Sequence, residues 1–201
     1  MQPDAANAEE FRRQAYTRMA AFLPAAVVRV VVEECWILHR NGAFKRNDMQ
    51  VPDAPSGYAP LPIEALMRLA TPFLEKIVGR SLWPTYSYMR IYERGNELRP
   101  HQDRDACEFS VSVTLAAATP DPWPLKFRTP AGEERAIDLA PGDAVIYRGG
   151  LLEHWREPLT ADWHMQAFMH FVDRDGPHAE WKYDKRADLG RPAVHSWGRK
   201  S

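Results

Sequence analysis

Cysteine is nearly missing from this sequence, with two in 201 residues, Cys35 and Cys107. Two distant cysteines are no disulfide scaffold, and neither belongs to a CxxC pair. That argues against cysteine-based zinc or thioredoxin-type chemistry. Long apolar runs are missing too. The longest, residues 25–32, is interrupted by Arg29 and falls far short of the roughly 20 residues that a membrane span needs. The start, MQPDAANAEEF, has no basic stretch leading into an apolar one, as a secretory signal would, so a cytoplasmic protein is expected. Nor is there an excess of charge. Twenty-six basic residues face 27 acidic ones, a formal net charge of -1, so no global field draws the chain to nucleic acid or to an anionic membrane. Internal repeats and low-complexity stretches are absent.

What is present in quantity is proline, 17 residues, and tryptophan, 7, against an ordinary 45% of hydrophobic residues. So much proline implies many loops and sheet-edge turns rather than a helical bundle. The length fits one domain spanning 1–201, read as N-terminal helices and a loop (1–80), a β-rich core (81–173) and a tail (174–201). Helical spacing of apolar residues predicts helices over 8–22, with Asp4 or Asn7 as cap, over 25–40 after Pro24, and over 62–78 before Gly79. Between them, 43–60 reads as a long loop, equally a lid over a site or a plain connection.

From Tyr86 the period changes to two. Tyr86, Tyr88, Arg90 and Tyr92 share one strand face; Ser110, Ser112 and Thr114 share another, opposite Val111, Val113 and Leu115. Short strands follow at 125–128, 134–139 and 144–147. A last one at 164–172 puts His164, Gln166, Phe168 and His170 on one side, with Met165, Ala167, Met169 and Phe171 on the other. The tail from Asp173 is charged and expected to wrap the surface. Helices first and short strands after predict an α+β fold. A sandwich or jelly roll with helices covering one sheet and a polar cavity at its mouth accommodates strand faces made of tyrosine, arginine and histidine.

The sharpest local signal is RPHQDR. His101 and Asp103, two residues apart in an extended segment, project from one face and can reach one metal ion together. The third ligand must come from elsewhere, and His154, beyond the PGDAVIYRG turn and strand, is the best candidate. Two histidines and one carboxylate on one octahedral face leave three positions open, the arrangement of oxygen-activating iron(II). The triplet alone fits a surface histidine and aspartate better than a metal site; the order of the surrounding elements carries the case.

That order, in YERGNELRPHQD, then FSVSVTL, then APGDAVIYRGGLLEHWREPLTADWH, resembles the 2-oxoglutarate and iron(II)-dependent oxygenase superfamily, closest to its prolyl-4-hydroxylase-like branch. The resemblance covers about 86–172. It implies a double-stranded β-helix (jelly-roll) core, with His101, Asp103 and His154 as iron ligands. Tyr92 would bond the 2-oxoglutarate, with Thr114 or Ser112 lining the same pocket. It also implies dioxygen as cosubstrate, and a hydroxylation coupled to decarboxylation of 2-oxoglutarate to succinate. The sequence departs from the pattern on the last strand, where His164 stands in place of the usual lysine or arginine that pairs with the far carboxylate of 2-oxoglutarate. Arg156 and His164 are the leading substitutes, with Arg90 and Arg148 as rivals.

The substrate expected is a small molecule or an amino acid-like compound, with no nucleic acid and no membrane as partner. The oligomeric state is left open. Two other readings keep the same residues: a zinc or other divalent-metal hydrolase or lyase, and a cupin-like binding protein without turnover. Among the remaining residues, His170 reads as a satisfied core histidine and Cys107 as a small buried hydrophobe. Trp123, Trp155 and Trp163 either shape the pocket or pack. Arg104 and Glu157 would meet substrate or each other. His39, His178 and His195 receive no role.

Overall fold

The computed structural model describes residues 5–191. The helix predicted from residue 62 forms as α3, Leu61–Val78 after α1, Ala5–Gln14, and α2, Ala25–Arg40. Pro62 sits in the first turn of α3, where no backbone N–H is needed, and the stripe of Ile63, Met67, Ala70, Leu74 and Ile77 is buried. Gly79, at φ 72°, closes the helix by donating its N–H to Glu75 O. In α2 the buried stripe is Val28, Val31 and Cys35.

The helix expected over 8–22 is corrected. α1 stops at Gln14, Ala15 takes the left-handed conformation (φ 64°), and Tyr16–Met19 is strand β1. The physical reason is non-local: β1 pairs antiparallel with Ala144–Tyr147, Tyr16 opposite Tyr147, and the Tyr16 ring stacks on Phe127 at 5.3 Å. A window of sequence sees the helical period but not the strand that is waiting for a partner.

The remaining strands are β2 (Ser56–Tyr58), β3 (Leu82–Glu93), β4 (Leu98–His101), β5 (Phe109–Ala117), β6 (Leu125–Arg128), β7 (Glu134–Ile137), β8 (Ala144–Tyr147), β9 (Glu153–Arg156) and β10 (Trp163–Asp173). They form a six-stranded sheet in the order β1-β8-β5-β10-β3-β2 and a four-stranded sheet in the order β4-β9-β6-β7, with every pair antiparallel. Strand alternation then divides the interior. Met89, Ile91, Val111, Val113, Met165, Ala167 and Met169 face the helices. Tyr92, Val145 and Tyr147 meet Leu98, Leu125 and Phe127 between the two sheets. The α+β reading with helices on one sheet therefore holds, and no helix among the described residues is long and apolar enough to cross a membrane.

The tail does more than wrap the surface. A short 3-10 stretch, Ala179–Lys185, leads to Arg186, which is buried and forms a 2.5 Å ion pair with the equally buried Glu64 of α3. His195 lies outside the described residues.

Candidate metal centre

The site is built from two neighbouring strands, the segment that follows β4 and the turn that precedes β9. On β4 and β9, His101 lies directly opposite His154, so both imidazoles leave the same face. Their ring centroids are 4.3 Å apart. Each Nδ1 is bonded to a backbone carbonyl two residues upstream, His101 to Arg99 O at 2.8 Å and His154 to Leu152 O at 2.9 Å. A carbonyl only accepts, so each Nδ1 carries a proton, and Nε2 is the ring atom left to face Asp103 and a metal. Both Nε2 atoms stand 3.6 Å from Asp103 Oδ1. The three ligand atoms lie within 4.8 Å of one another, close enough for one cation with bonds of about 2.0–2.2 Å.

Asp103 is held from three sides. Its N–H donates to Gly149 O at 2.9 Å, and Oδ2 accepts from Ser110 Oγ at 2.9 Å. Gly149 packs so closely that a Cβ there would overlap Asp103 Oδ2 and stand 2.5 Å from Cys107 O. Burial disfavours the ionised carboxylate, but attraction from His154, the bond from His101 and the Ser110 hydroxyl hold its pKa well below the usual range. Burial lowers the pKa of His154, keeping it neutral as a ligand must be. Burial also opposes charge on His101, yet the Asp103 bond raises its pKa. A second group, Asp103, Cys107 and His170, also lies within 4.8 Å. Burial and Asp103 push the Cys107 thiol far up, and its Sγ is engaged with Tyr86 Oη at 3.2 Å, so it stays protonated and is a poor metal ligand.

The centre opens into a cavity of about 680 Å³ lined by Tyr58, Tyr86, Tyr88, Arg90, Phe168 and the 45–50 segment, among others. The long loop thus forms a wall of the cavity. Asp48 anchors it, accepting from Tyr88 Oη at 2.6 Å, from Arg90 Nη2 at 2.8 Å, and from the backbone N–H groups of Gln50 and Val51.

The residues predicted to take the cosubstrate fall into two sets. Arg90 lines the cavity with its charge already met by Asp48, and it donates to Tyr92 Oη at 2.8 Å. Arg156, His164 and Tyr92 are not among the residues lining this cavity but gather around Trp123, and Thr114 joins them through Gln166. The Trp123 ring lies 4.8 Å from Tyr92 and 5.2 Å from His164, with the Arg156 guanidinium 4.7 Å above it. Thr114 Oγ1 and Ser112 Oγ are both bonded to the Gln166 amide, which also meets His164 Nε2 at 3.0 Å.

The two leading cation candidates differ in charge. Burial and the nearby Arg156 push His164 down to about 3, so it is neutral at pH 7. Arg156 is fully buried; it donates Nη1 to Trp123 O, and its Nη2 has no partner among the described residues. Burial pulls its pKa down to about 10, so it is still charged at neutral pH, with no carboxylate paired to it among the described residues. Arg148 is exposed and drops out. Arg104 and Glu157 do not meet; they pair with Asp184 at 2.9 Å and Lys126 at 2.8 Å. Trp155 bonds Glu157, and Trp163 packs against Trp36 on the helical side.

Sequence reasoning gave no role to Ser110, Gly149 or Asp184. The first two had a readable signal, a serine on the polar face of β5 and a Gly-Gly pair before the distal histidine. Asp184 had none.

No protein-family model matches this sequence, and no curated protein matches it significantly. Solved structures do match. A prolyl-4-hydroxylase from Pseudomonas putida superposes with a TM-score of 0.69 at 18% identity, covering 85% of this chain and 98% of the other. The epimerase SnoN, solved with Fe3+, alpha ketoglutarate and nogalamycin RO, gives 0.73 at 15% identity over 94% and 92%. A prolyl hydroxylase from Trichoplax adhaerens, solved with a peptide of hypoxia inducible factor, gives 0.71 at 12% identity over 83% and 87%. At these identities the likeness establishes the fold: this chain folds as those oxygenase structures do.

Proposed function

We propose that this chain is a non-haem Fe(II)- and 2-oxoglutarate-dependent oxygenase with a double-stranded β-helix core, hydroxylating a small molecule or an amino acid-like compound. The observation that carries the reading is the convergence of two proton-directed imidazoles and one ionised carboxylate, His101, His154 and Asp103, at the mouth of a cavity. Two nitrogens and one oxygen on one side of a cation suit iron(II) with open positions. The bound pair would supply oxidising power, with 2-oxoglutarate decarboxylated to succinate as dioxygen is consumed.

The chain's own part is positioning. His101 and Asp103 fix the ion from one segment, and His154 closes the triad from the next strand. Arg156 follows His154 by two residues on the same strand face, about 7 Å further along. Its unpartnered guanidinium edge is the receptor for the far carboxylate of the keto acid. Tyr92 Oη, between Arg90 and Trp123, adds a hydroxyl to that end. His164 contributes as a neutral neighbour, not as the cation. The Asp48-anchored loop and the aromatic wall keep bulk water from the metal side.

The test is direct. Purified chain is given iron(II) and 2-oxoglutarate without oxygen and scanned for the weak visible charge-transfer band, then assayed in air for succinate. A band and succinate in the native chain, both lost in Asp103→Ala, are expected. Tight zinc binding with neither signal would turn the assignment to a hydrolase or lyase.

A further inference from the structure

Of the four tyrosines on the cavity wall, Tyr58, Tyr86, Tyr88 and Tyr147, the first three have their hydroxyls occupied by the protein. Tyr58 Oη donates to Asp184, Tyr88 Oη to Asp48, and Tyr86 Oη meets Cys107 Sγ. With their polar tips engaged, these side chains offer ring faces to whatever enters, joined by Phe168. Two arginines on the wall are also paired, Arg90 with Asp48 and Arg104 with Asp184. This stretch of wall is therefore apolar in effect, although the lining also includes Lys45, Asn47 and Gln102.

His170 departs from this pattern. It lines the same cavity, with its ring 4.7 Å from Tyr86 and parallel to Phe168. Its Nδ1 lies 2.9 Å from Ser110 Oγ. That hydroxyl has a single proton, and the carboxylate Asp103 Oδ2, also 2.9 Å away, can only accept. The Ser110 proton therefore goes to Asp103, and the Nδ1 position of His170 must carry a proton to donate to Ser110. The tautomer follows: Nε2 bears a lone pair, and no described residue is hydrogen-bonded to it.

We propose that His170 Nε2 is the substrate-recognition group of this cavity, accepting a hydrogen bond from a hydroxyl or ring N–H of a substrate whose body is a flat, apolar ring system. The chain Asp103–Ser110–His170 then ties the substrate's donor to the metal carboxylate, setting which carbon faces the open coordination positions. This rests on the oxygenase reading for its meaning in catalysis, though the binding itself does not need the metal.

Phenol and its methyl ether anisole are the probes, because they share a ring and differ in the donor. Their binding to the full chain is measured by ligand-observed NMR, metal-free and zinc-loaded. A neutral hydrogen bond of about 0.5–1.5 kcal/mol predicts that phenol binds roughly two- to twelvefold tighter than anisole. His170→Phe should remove that preference while leaving anisole bound. In the native chain, the 15N signal of His170 Nε2 should move on adding phenol and stay still with anisole, a readout that needs no variant. Equal affinities, a preference that survives His170→Phe, or a 15N signal indifferent to phenol would overturn the proposal. Failure to bind iron would sink the oxygenase reading and leave the phenol comparison in the metal-free chain fully readable.

Discussion

At the scale of single residues, the centre is governed by what stands behind the ligands. Ser110 and Gly149 never touch a metal, yet one holds Asp103 Oδ2 and the other leaves room for it. Groups that orient ligands typically matter by 10- to 100-fold in metal affinity. Ser110→Ala is therefore expected to weaken iron(II) binding by about tenfold, and Gly149→Ala by more, because its methyl group displaces the carboxylate. Calorimetric titration of metal into each variant measures this; native-like affinity in both would remove the support role. Arg156 makes a second prediction. Truncating one partner of a buried charge pair costs about 2–5 kcal/mol, so Arg156→Ala should weaken 2-oxoglutarate binding by more than 30-fold. His164→Gln, which swaps one neutral group for another, should change it only slightly. The reverse ranking would make His164 the anchor.

The same residues show how much was legible. The triad was readable because its spacing is local for His101 and Asp103 and because the distal histidine follows a recognisable turn. The choice between Arg156 and His164 was not. It depends on which side chain is buried without a counter-charge, and that is a property of packing across strands far apart in sequence. Ser110 stood on a visible alternating face, but its role appears only when β5 is laid beside Asp103 and His170.

At the scale of elements, the strands of the core were largely legible, since alternation reports which face meets the helices and which meets the cavity. β1 was not, because its partner β8 lies more than a hundred residues away and its own sequence continues a helical period. The 43–60 loop was visible as a loop but not as a wall. Backbone pairing ties its later part, through β2, the bridge from Lys45 to Ser56 and the bond from Ile91 N–H to Pro55 O, so the 46–51 stretch leans on side chains, Asp48 and the Arg46–Glu93 pair. Burial opposes the charge on Asp48, yet Arg90, Tyr88 and the Val51 N–H keep its carboxyl below the usual range. Asp48→Asn should loosen this wall. Amide hydrogen exchange over 45–55 is expected to quicken, with β5 and β10 unchanged, and unaltered exchange there would show that the loop stands without its anchor. Trp123, on the irregular segment before β6, covers Arg156 in the same way. Trp123→Ala should alter both the rate and the strength of 2-oxoglutarate binding, followed by stopped-flow mixing.

At the scale of the whole molecule, the interior carries an unusual load of nearly uncharged imidazole. Burial holds His164 down to about 3 and His170 down to about 4, whereas in an unfolded chain each titrates near 6.5. Below that value the unfolded chain binds protons that the folded chain refuses, so stability is full above about pH 6.5 and falls as the pH drops towards the folded values. At 1.36 kcal/mol per unit, each histidine is worth a few kcal/mol once the pH nears 4. His101, with a raised pKa, acts in the opposite sense, losing its contribution as pH rises. Asp103 and Asp48 lose theirs only below the ordinary carboxylate range. With a net charge of only -1, general repulsion adds little near neutrality. Urea unfolding of the metal-free chain should therefore show stability declining from pH 7 to pH 4.5, with a slope to which His164 and His170 each add about one proton, His154 adds and His101 subtracts. His164→Gln should remove about one of these protons, because glutamine cannot take up a proton in either state. A slope identical in the two proteins would mean that this imidazole is not held neutral by burial, and His164 would return as a candidate for the cation that meets the far carboxylate.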